Sequence, residues 1–440
     1  MLIIMTFTIG VASWDGKYNG GDIALARFSY RGEYPIDIWG GFSLFFYGNL
    51  PDLILPWGAW LLVLQLFLVS FGAYLLKRHI LLTNKLLILT WWLFVYAVLV
   101  FSGNLTRDST LFSFCFFGFC LVYIFAEKQK NNSKFFWIGI LFLVIGFSFR
   151  PWLALISSLF LVFSNIKGIK LFATILITLI SPLILDSSVY NVKEVQQVHP
   201  EFQVILMDAA SMTCISNSKV TSEVGARLIN LFNKTNYSPE QICGSFKLSS
   251  WQSIGVWQEK PSFKTKVINQ TNALTFEKIE LPIQFGISDF ESDRIRSAWL
   301  SLIKAHPKEY LQVKFLQACQ LIIAGDTFGI RWLNSANFFE KIRLLLFIPY
   351  DMAISIHLFS PLVAASLGCV LIFRLLRRRR YVALPIEIAT VLPLLILGFW
   401  ISITAIAFIG DNGRYVYPAS FFYYTLSLIW LSKKRVDKID

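Results

Sequence analysis

Charge is what this chain has least of. Asp, Glu, Lys and Arg make up 15% of its 440 residues, hydrophobic residues 55%, and the mean hydropathy is +0.59. That is too apolar for a soluble globule, so that class is excluded. No glycine-rich phosphate loop, HExxH or CxxC pair occurs, which leaves ATP-driven transport and zinc chemistry without support. Internal repeats and low-complexity linkers are absent as well. Glu387 and His357 lie near membrane depth, but no second buried acid or histidine accompanies them, so a proton relay has no support either. The net charge of +13 invites a nucleic-acid partner, yet the largest polar region argues against one. Between Ser187 and Glu340, fifteen Lys and Arg stand against fourteen Asp and Glu, leaving that region close to neutral.

The excess positive charge lies in gaps between long apolar runs, and it alternates. Lys77, Arg78 and Lys85 share one gap, Lys128, Lys130 and Lys134 the next, Lys167 and Lys170 a third. Arg374 with Arg377–Arg380 and then Lys433–Arg435 complete the series. The intervening short gaps hold one arginine each: Arg107, Arg150 and Arg414. This is the positive-inside signature of a polytopic membrane protein, and it puts the lone arginines outside. Windows of about 19 residues predict helices over 1–14, 53–76, 85–103, 110–126, 135–149, 152–165, 170–186, 353–374, 382–409 and 418–432. About ten crossings leave both termini in the cytosol and set every basic gap against anionic headgroups. The first run, Leu2 to Ser13, is shorter than the roughly 20 residues of a straight crossing and lacks the charged leader of a signal peptide. A short first helix continuing past Trp14, or a start site placed too late, is expected; either way the residues after Trp14 face out.

The expected class is an all-α polytopic membrane protein with a mixed or mainly helical outer-side domain inserted after helix seven. Residues 1–186 form an N-terminal transmembrane module with an outer loop at 14–52. Residues 187–352 form the outer domain, and 353–440 a C-terminal transmembrane module. Within the outer domain, Ile295 to Ala324 reads as a helix with an apolar stripe, interrupted at His306-Pro307. Phe338–Asp351 is expected to lie along the outer interface. Phe202–Met207 and Ile279–Phe285 allow helix or strand. Cys115, Cys120 and Cys369 sit in apolar runs as packing residues. Cys214 and Cys243, both in the outer region, are a possible disulfide. Cys319 carries no assignable role.

The outer loops hold the polar residues of interest. The first reads WDGKYNGGDIALARFSYRGEYPIDIW, where Gly20-Gly21 permit a sharp turn ahead of Asp22. Asp22 could simply cap a helix over the following ALAR. Alternatively, a carboxylate held at a helix start near the membrane surface serves as a general base for an acceptor hydroxyl. Asp22 is the first choice for that catalytic role and Asp15 the second. In the second gap, Asp108 or Ser109 could cap the next helix while Arg107 meets a lipid headgroup. The sharper alternative gives Arg107 a substrate phosphate, with Asp108 orienting its guanidinium, because the planar fork suits phosphate oxygens and stays charged. Arg150-Pro151-Trp152 makes a tight outer turn, and DNGRYVYP, with Arg414 and Tyr415, is the last one. Pro418 can open the final helix. Singly, each arginine suits an interface anchor; together the three could form a cationic funnel for an anionic headgroup.

This arrangement resembles the GT-C superfamily of integral-membrane glycosyltransferases, which use polyprenyl-phosphate sugars at the outer leaflet. Four stretches carry the resemblance: GGDIALARFSYRGEYPIDIWGGF, TRDSTLFSFCFF, AWLSLIKAHPKEYLQVK and DNGRYVYPASFFYY. It implies a bacterial inner or plasma membrane protein moving a sugar from a polyprenyl-phosphate donor to a glycan, lipid or protein acceptor of the cell envelope. It also implies that Asp22 matches the catalytic aspartate, and that Arg107 and Arg414 match positions near the lipid phosphate. No cofactor is expected, and no ligand cluster supports a divalent metal. The alternatives are an O-antigen-type polymerase or ligase, and a lipid-linked-sugar flippase or other transporter.

Overall fold

A computed structural model describes Tyr30 and residues 40–50, 57–80, 85–102, 107–127, 133–151, 168–190, 201–233, 236–246, 289–323 and 417–433, with shorter pieces at 153–154, 158–163, 166, 363–364 and 393–398 and single positions at 366, 369, 400, 401 and 404. All regular structure among these residues is helical. The chain divides into two compact units. One comprises Met1–Val195, Thr327–Trp400 and Tyr417–Asp440; the other comprises Gln196–Asp326 and Ile401–Val416.

In the first unit the described helices are α1 (Gly41–Gly48), α2 (Trp57–Lys77), α3 (Lys85–Ser102), α4 (Arg107–Glu127), α5 (Lys134–Ser148), α6 (Ile169–Tyr190) and, near the end of the chain, α12 (Tyr417–Lys433). Three of them are long and apolar enough to cross a membrane: Trp60–Lys77, Arg107–Ala126 and Ile169–Val189. Leu87–Leu99 and Lys134–Ser148 are shorter apolar helices. Helix α4 is the hub, with 94% of its span buried against 17% for α6. Hydrophobicity cannot drive helices together in lipid, so close packing must do so. Accordingly, a Cβ built on Gly118 would stand 2.7 Å from the Gly139 carbonyl oxygen, and one on Gly139 would stand 2.9 Å from that of Gly118. Aromatic rings fill the rest: Phe112 lies 5.1 Å from Phe421 of α12, and Phe117 lies 4.8 Å edge-on to Phe142.

Two expectations change here. The span predicted over 152–165 contains a 3-10 helix at Ser158–Phe163 rather than one continuous α-helix. Its window was apolar, but hydropathy reports burial and not helix type. Helix α1 was not foreseen within the outer loop; its GFSLFFYG sequence is too short to register as a span. Pro418 does stand in the first turn of α12, where a missing N–H costs nothing. Cys115 and Cys120 are buried, whereas Cys369 is exposed. The predicted spans at 1–14, 353–374 and 382–409 lie wholly or mostly outside the described residues, as do Phe338–Asp351, Ile279–Phe285, Glu387 and His357.

The second unit holds α7 (Glu201–Ile215), α8 (Lys219–Asn233), α9 (Pro239–Ser245), α10 (Asp289–Ala305) and α11 (Pro307–Ile323). The ambiguous stretch at Phe202–Met207 is helical, and its apolar run is a core: Phe202, Ile205, Leu206 and Met207 are buried with Ile229, Ile242, Ile295 and Leu302. Helices α7 and α8 cross where Gly225 brings its backbone against Ala209, whose oxygen would lie 2.8 Å from an added Cβ. Cys214 and Cys243 are joined in a disulfide, Cα to Cα 5.2 Å, tying α7 to α9. Ser238 and Gln241 form a capping box at the start of α9. The break at His306-Pro307 is a helix start: the His306 carbonyl accepts from Tyr310 N–H at 3.1 Å, and Pro307 takes the first helical position.

Candidate functional site

Several elements of the first unit deliver polar side chains to one place. The N-terminal turn of α4 supplies Arg107, Asp108 and Thr110. Helix α5 stops at Ser148, and the following turn, closed by Arg150 N–H donating to the Phe147 carbonyl at 2.9 Å, sends Arg150 back toward α4. There its Nε lies 2.6 Å from Asp108 Oδ1 and its Nη2 donates to Oδ2 at 3.2 Å. Two contacts from one planar fork fix both orientation and distance. Both residues are buried, 2% and 3% exposed. Arg150 is therefore no headgroup anchor on the protein's rim.

Helix α1 packs beside this pair. Phe46 and Tyr47 lie 5.0 and 5.5 Å from Phe149, and Ser43 Oγ donates to the Phe149 carbonyl at 3.3 Å. Burial pushes the Tyr47 phenol above its ordinary range, opposed by a hydrogen bond with Thr110 and by the charges of Arg107 and Arg150. From α2, Gln65 donates to Thr110 Oγ1 at 2.6 Å, inside the helix cluster. Asp186, near the end of α6, accepts from Phe42 N–H at 2.9 Å. A carboxylate at a helix N-terminus meets both a free donor and the favourable end of the dipole. Gly40 permits the approach: its φ is +81°, and an added Cβ would lie 2.8 Å from Asp186 Oδ1. The site thus groups Tyr47, Gln65, Asp108, Thr110 and Arg150, with Arg107 next to Asp108 in the first turn of α4 and Asp186 holding the start of α1.

The structure brings Asp108 and Arg150 together directly, with Arg107 beside them. It adds a pairing that sequence adjacency did not suggest: Asp108 holds Arg150, 42 residues on, as well as standing next to Arg107. Helix α4 also begins at Arg107, so Asp108 stands in the first turn rather than at the cap. Asp15, Asp22, Arg414 and Tyr415 lie outside the described residues. Tyr47, Gln65 and Asp186 escaped the sequence reading. Of these Gln65 left a signal, as an amide alone in the apolar run WLLVLQLFLV.

A second buried ion pair lies in the other unit. Lys314 Nζ of α11 is 2.5 Å from Asp208 Oδ1 of α7, and Asp208 is fully buried. Burial pushes the Asp208 carboxyl up; Lys314 and hydrogen bonds from Trp299 and Tyr310 pull it down without cancelling the rise. Among the described residues no group of three or more His, Cys, Asp or Glu could hold a metal ion.

Comparison with family models, curated proteins and solved structures finds no match. Three helices fit to cross a bilayer by length and composition mark a helical membrane protein.

Proposed function

We propose that this chain is an integral-membrane glycosyltransferase of about ten crossings. It moves a sugar from a polyprenyl-phosphate donor to a cell-envelope acceptor at the outer leaflet. The observation that carries the reading is Arg150 of one short loop held against the buried Asp108 of another, one residue along from Arg107, at the helix ends that the basic-residue pattern assigns to the outside. Asp108 neutralises and orients Arg150, and Arg107, which is half-buried, is the better placed of the two to meet a phosphate. In the reaction Asp22 takes the proton of an acceptor hydroxyl as its oxygen attacks the anomeric carbon. The carbon–oxygen bond to the phosphate breaks, and the departing phosphate's charge is met by Arg107, with Arg150 and Arg414 in support. The leaving group is already an activated phosphate ester, so neither ATP nor a nucleotide sugar is required at the site.

The test has two arms. Polyprenyl phosphate binding to the purified chain in nanodiscs should weaken at least tenfold in Arg107→Ala; unchanged binding would remove the phosphate site. Transfer from a lipid-linked sugar should be abolished in Asp22→Asn with lipid binding retained. Full activity in that variant would favour an arginine-based polymerase or ligase instead.

A further inference from the structure

Helix α11 is built inside out for a helix in water. Its inward face carries Lys314 and Gln317, 6% and 3% exposed, beside Val313. Its outward face carries Leu311 and Phe315, 66% and 67% exposed, together with Gln312 and Lys308. Positions 308, 311, 312 and 315 follow the i, i+3, i+4, i+7 spacing that defines one side of a helix. Its neighbour α10 is closer to the ordinary sense: Ile295 and Leu302 are buried and Asp293, Arg294, Ser301 and Lys304 are exposed, although Leu300 is 47% exposed among them. Scattered surface leucines need no explanation, but a helix that buries Lys314 and Gln317 while leaving Leu311 and Phe315 two-thirds exposed side by side does. Membrane helices show that polarity, with ionisable groups paired inward and apolar ones toward lipid. Both halves are present here: Lys314 is paired with buried Asp208, and the amide of the buried Gln317 has no hydrogen-bond partner among the described residues.

We propose that the outward face of α11 lies in the interfacial layer of the bilayer. Leu311 and Phe315 sit among acyl chains, and Lys308, about 10 Å along the axis from Phe315, sits at phosphate level. Lipid is the committed occupant for two reasons. The chain carries three helices fit to span a membrane, so lipid is an obligatory neighbour of this protein. The charged residue on the outward face is a lysine, which matches headgroup phosphates, and its aliphatic stem lets the ammonium reach them from an apolar surface. The inference goes beyond the proposed transfer reaction and does not depend on it.

The experiment uses the full chain in nanodiscs of phosphatidylethanolamine and phosphatidylglycerol, with Phe315→p-benzoylphenylalanine as a photo-crosslinker. The same substitution at Ser301 of α10 is the control, and one at Leu311 stands in should the first variant fail to fold. Illumination is expected to add the mass of a phospholipid at position 315, or 311, at least tenfold more often than at 301. Adducts at 315 to protein alone would make the face a protein interface and overturn the proposal. Equal lipid labelling at 315 and 301, or no adduct at 315 and 311, would overturn it too. No outcome involves catalysis, so failure here is distinguishable from failure of the transferase reading.

Discussion

Among the described residues each unit of the molecule buries one ion pair, and the two are built differently. In the first unit Asp108 meets an arginine through two contacts, at 2.6 and 3.2 Å, where α4 begins and α5 ends. In the second Asp208 meets a lysine through a single contact, at 2.5 Å. A guanidinium holds its charge whatever surrounds it and dictates geometry through its fork; an ammonium is a point charge that can lose its proton when buried. The arginine pair therefore suits a place where orientation matters, as in a substrate site. The lysine pair suits a brace between α7 and α11, and the raised Asp208 carboxyl shows that its partners do not fully offset its burial.

Breaking the first pair should have the largest effect. Arg150→Ala leaves a carboxylate buried without its partner and should cost about 3–5 kcal/mol, read as a fall in unfolding midpoint in detergent or nanodiscs. Arg150→Lys keeps the charge but not the fork, and should recover only part of the loss. A loss below 1 kcal/mol in the alanine variant would remove the distinction drawn between the pairs.

The units also differ in covalent bracing, because the disulfide Cys214–Cys243 closes a loop in the second only. Cys214→Ser with Cys243→Ser should cost about 2–4 kcal/mol by chain-entropy reasoning. Hydrogen exchange should show the loss in α7 and α9 while α4 and α5 keep their protection. Uniform loosening of both units would contradict their separation.

Lys314→Met should come next, at about 2–3 kcal/mol at neutral pH, less than for the arginine because Asp208 can take up a proton instead of staying charged. The sign with pH follows from the raised carboxyl. Folded Asp208 keeps its proton to higher pH than the unfolded chain, whose value is about 4. Between those two values the native state holds more protons, so stability falls as pH rises through the window and is fullest below it. Removing Lys314 takes away one influence that lowers the carboxyl, which widens the window upward. Equal cost of Lys314→Met at pH 4 and pH 7 would count against this account.

Much of the first unit was legible because membrane helices announce themselves. The predicted 85–103 and 135–149 match α3 and α5 to within a residue at each end, since long apolar runs bounded by charge have few other solutions. The site was legible only in its charges. Arg107, Asp108 and Arg150 stood out as polar residues in short loops, yet which arginine Asp108 would meet depends on how α5 packs against α4. That packing is set by Gly118 against Gly139, a contact between residues 21 positions apart that no local window sees. The break at His306-Pro307 was visible because proline acts locally. The inversion of α11 was not: periodicity shows that a helix has two faces but leaves open which one turns inward. Asp208 offered a hint, an acid in the apolar run FQVILMDAASM, but its partner lies more than 100 residues away.

The smallest effect tests whether the first site is fixed by charge or by neutral hydrogen bonds as well. Gln65 donates to Thr110 at 2.6 Å, one turn or less from Asp108 along α4, so it bears on the orientation of the helix start. Gln65→Leu keeps the volume and removes the donor. Hydrogen bonds between membrane helices average about 0.6 kcal/mol because the unfolded state in lipid finds other partners, so stability should fall by about that much. Thr110→Val should cost a similar amount, and the double variant should cost less than the sum, since each change deletes the same bond. A loss as large as that of Arg150→Ala would mean that Gln65 holds the site and that the ion pair is secondary to it. Losses that simply add would mean that the two side chains do not act through each other, and the arrangement of α4 would then rest on Asp108 and Arg150 alone.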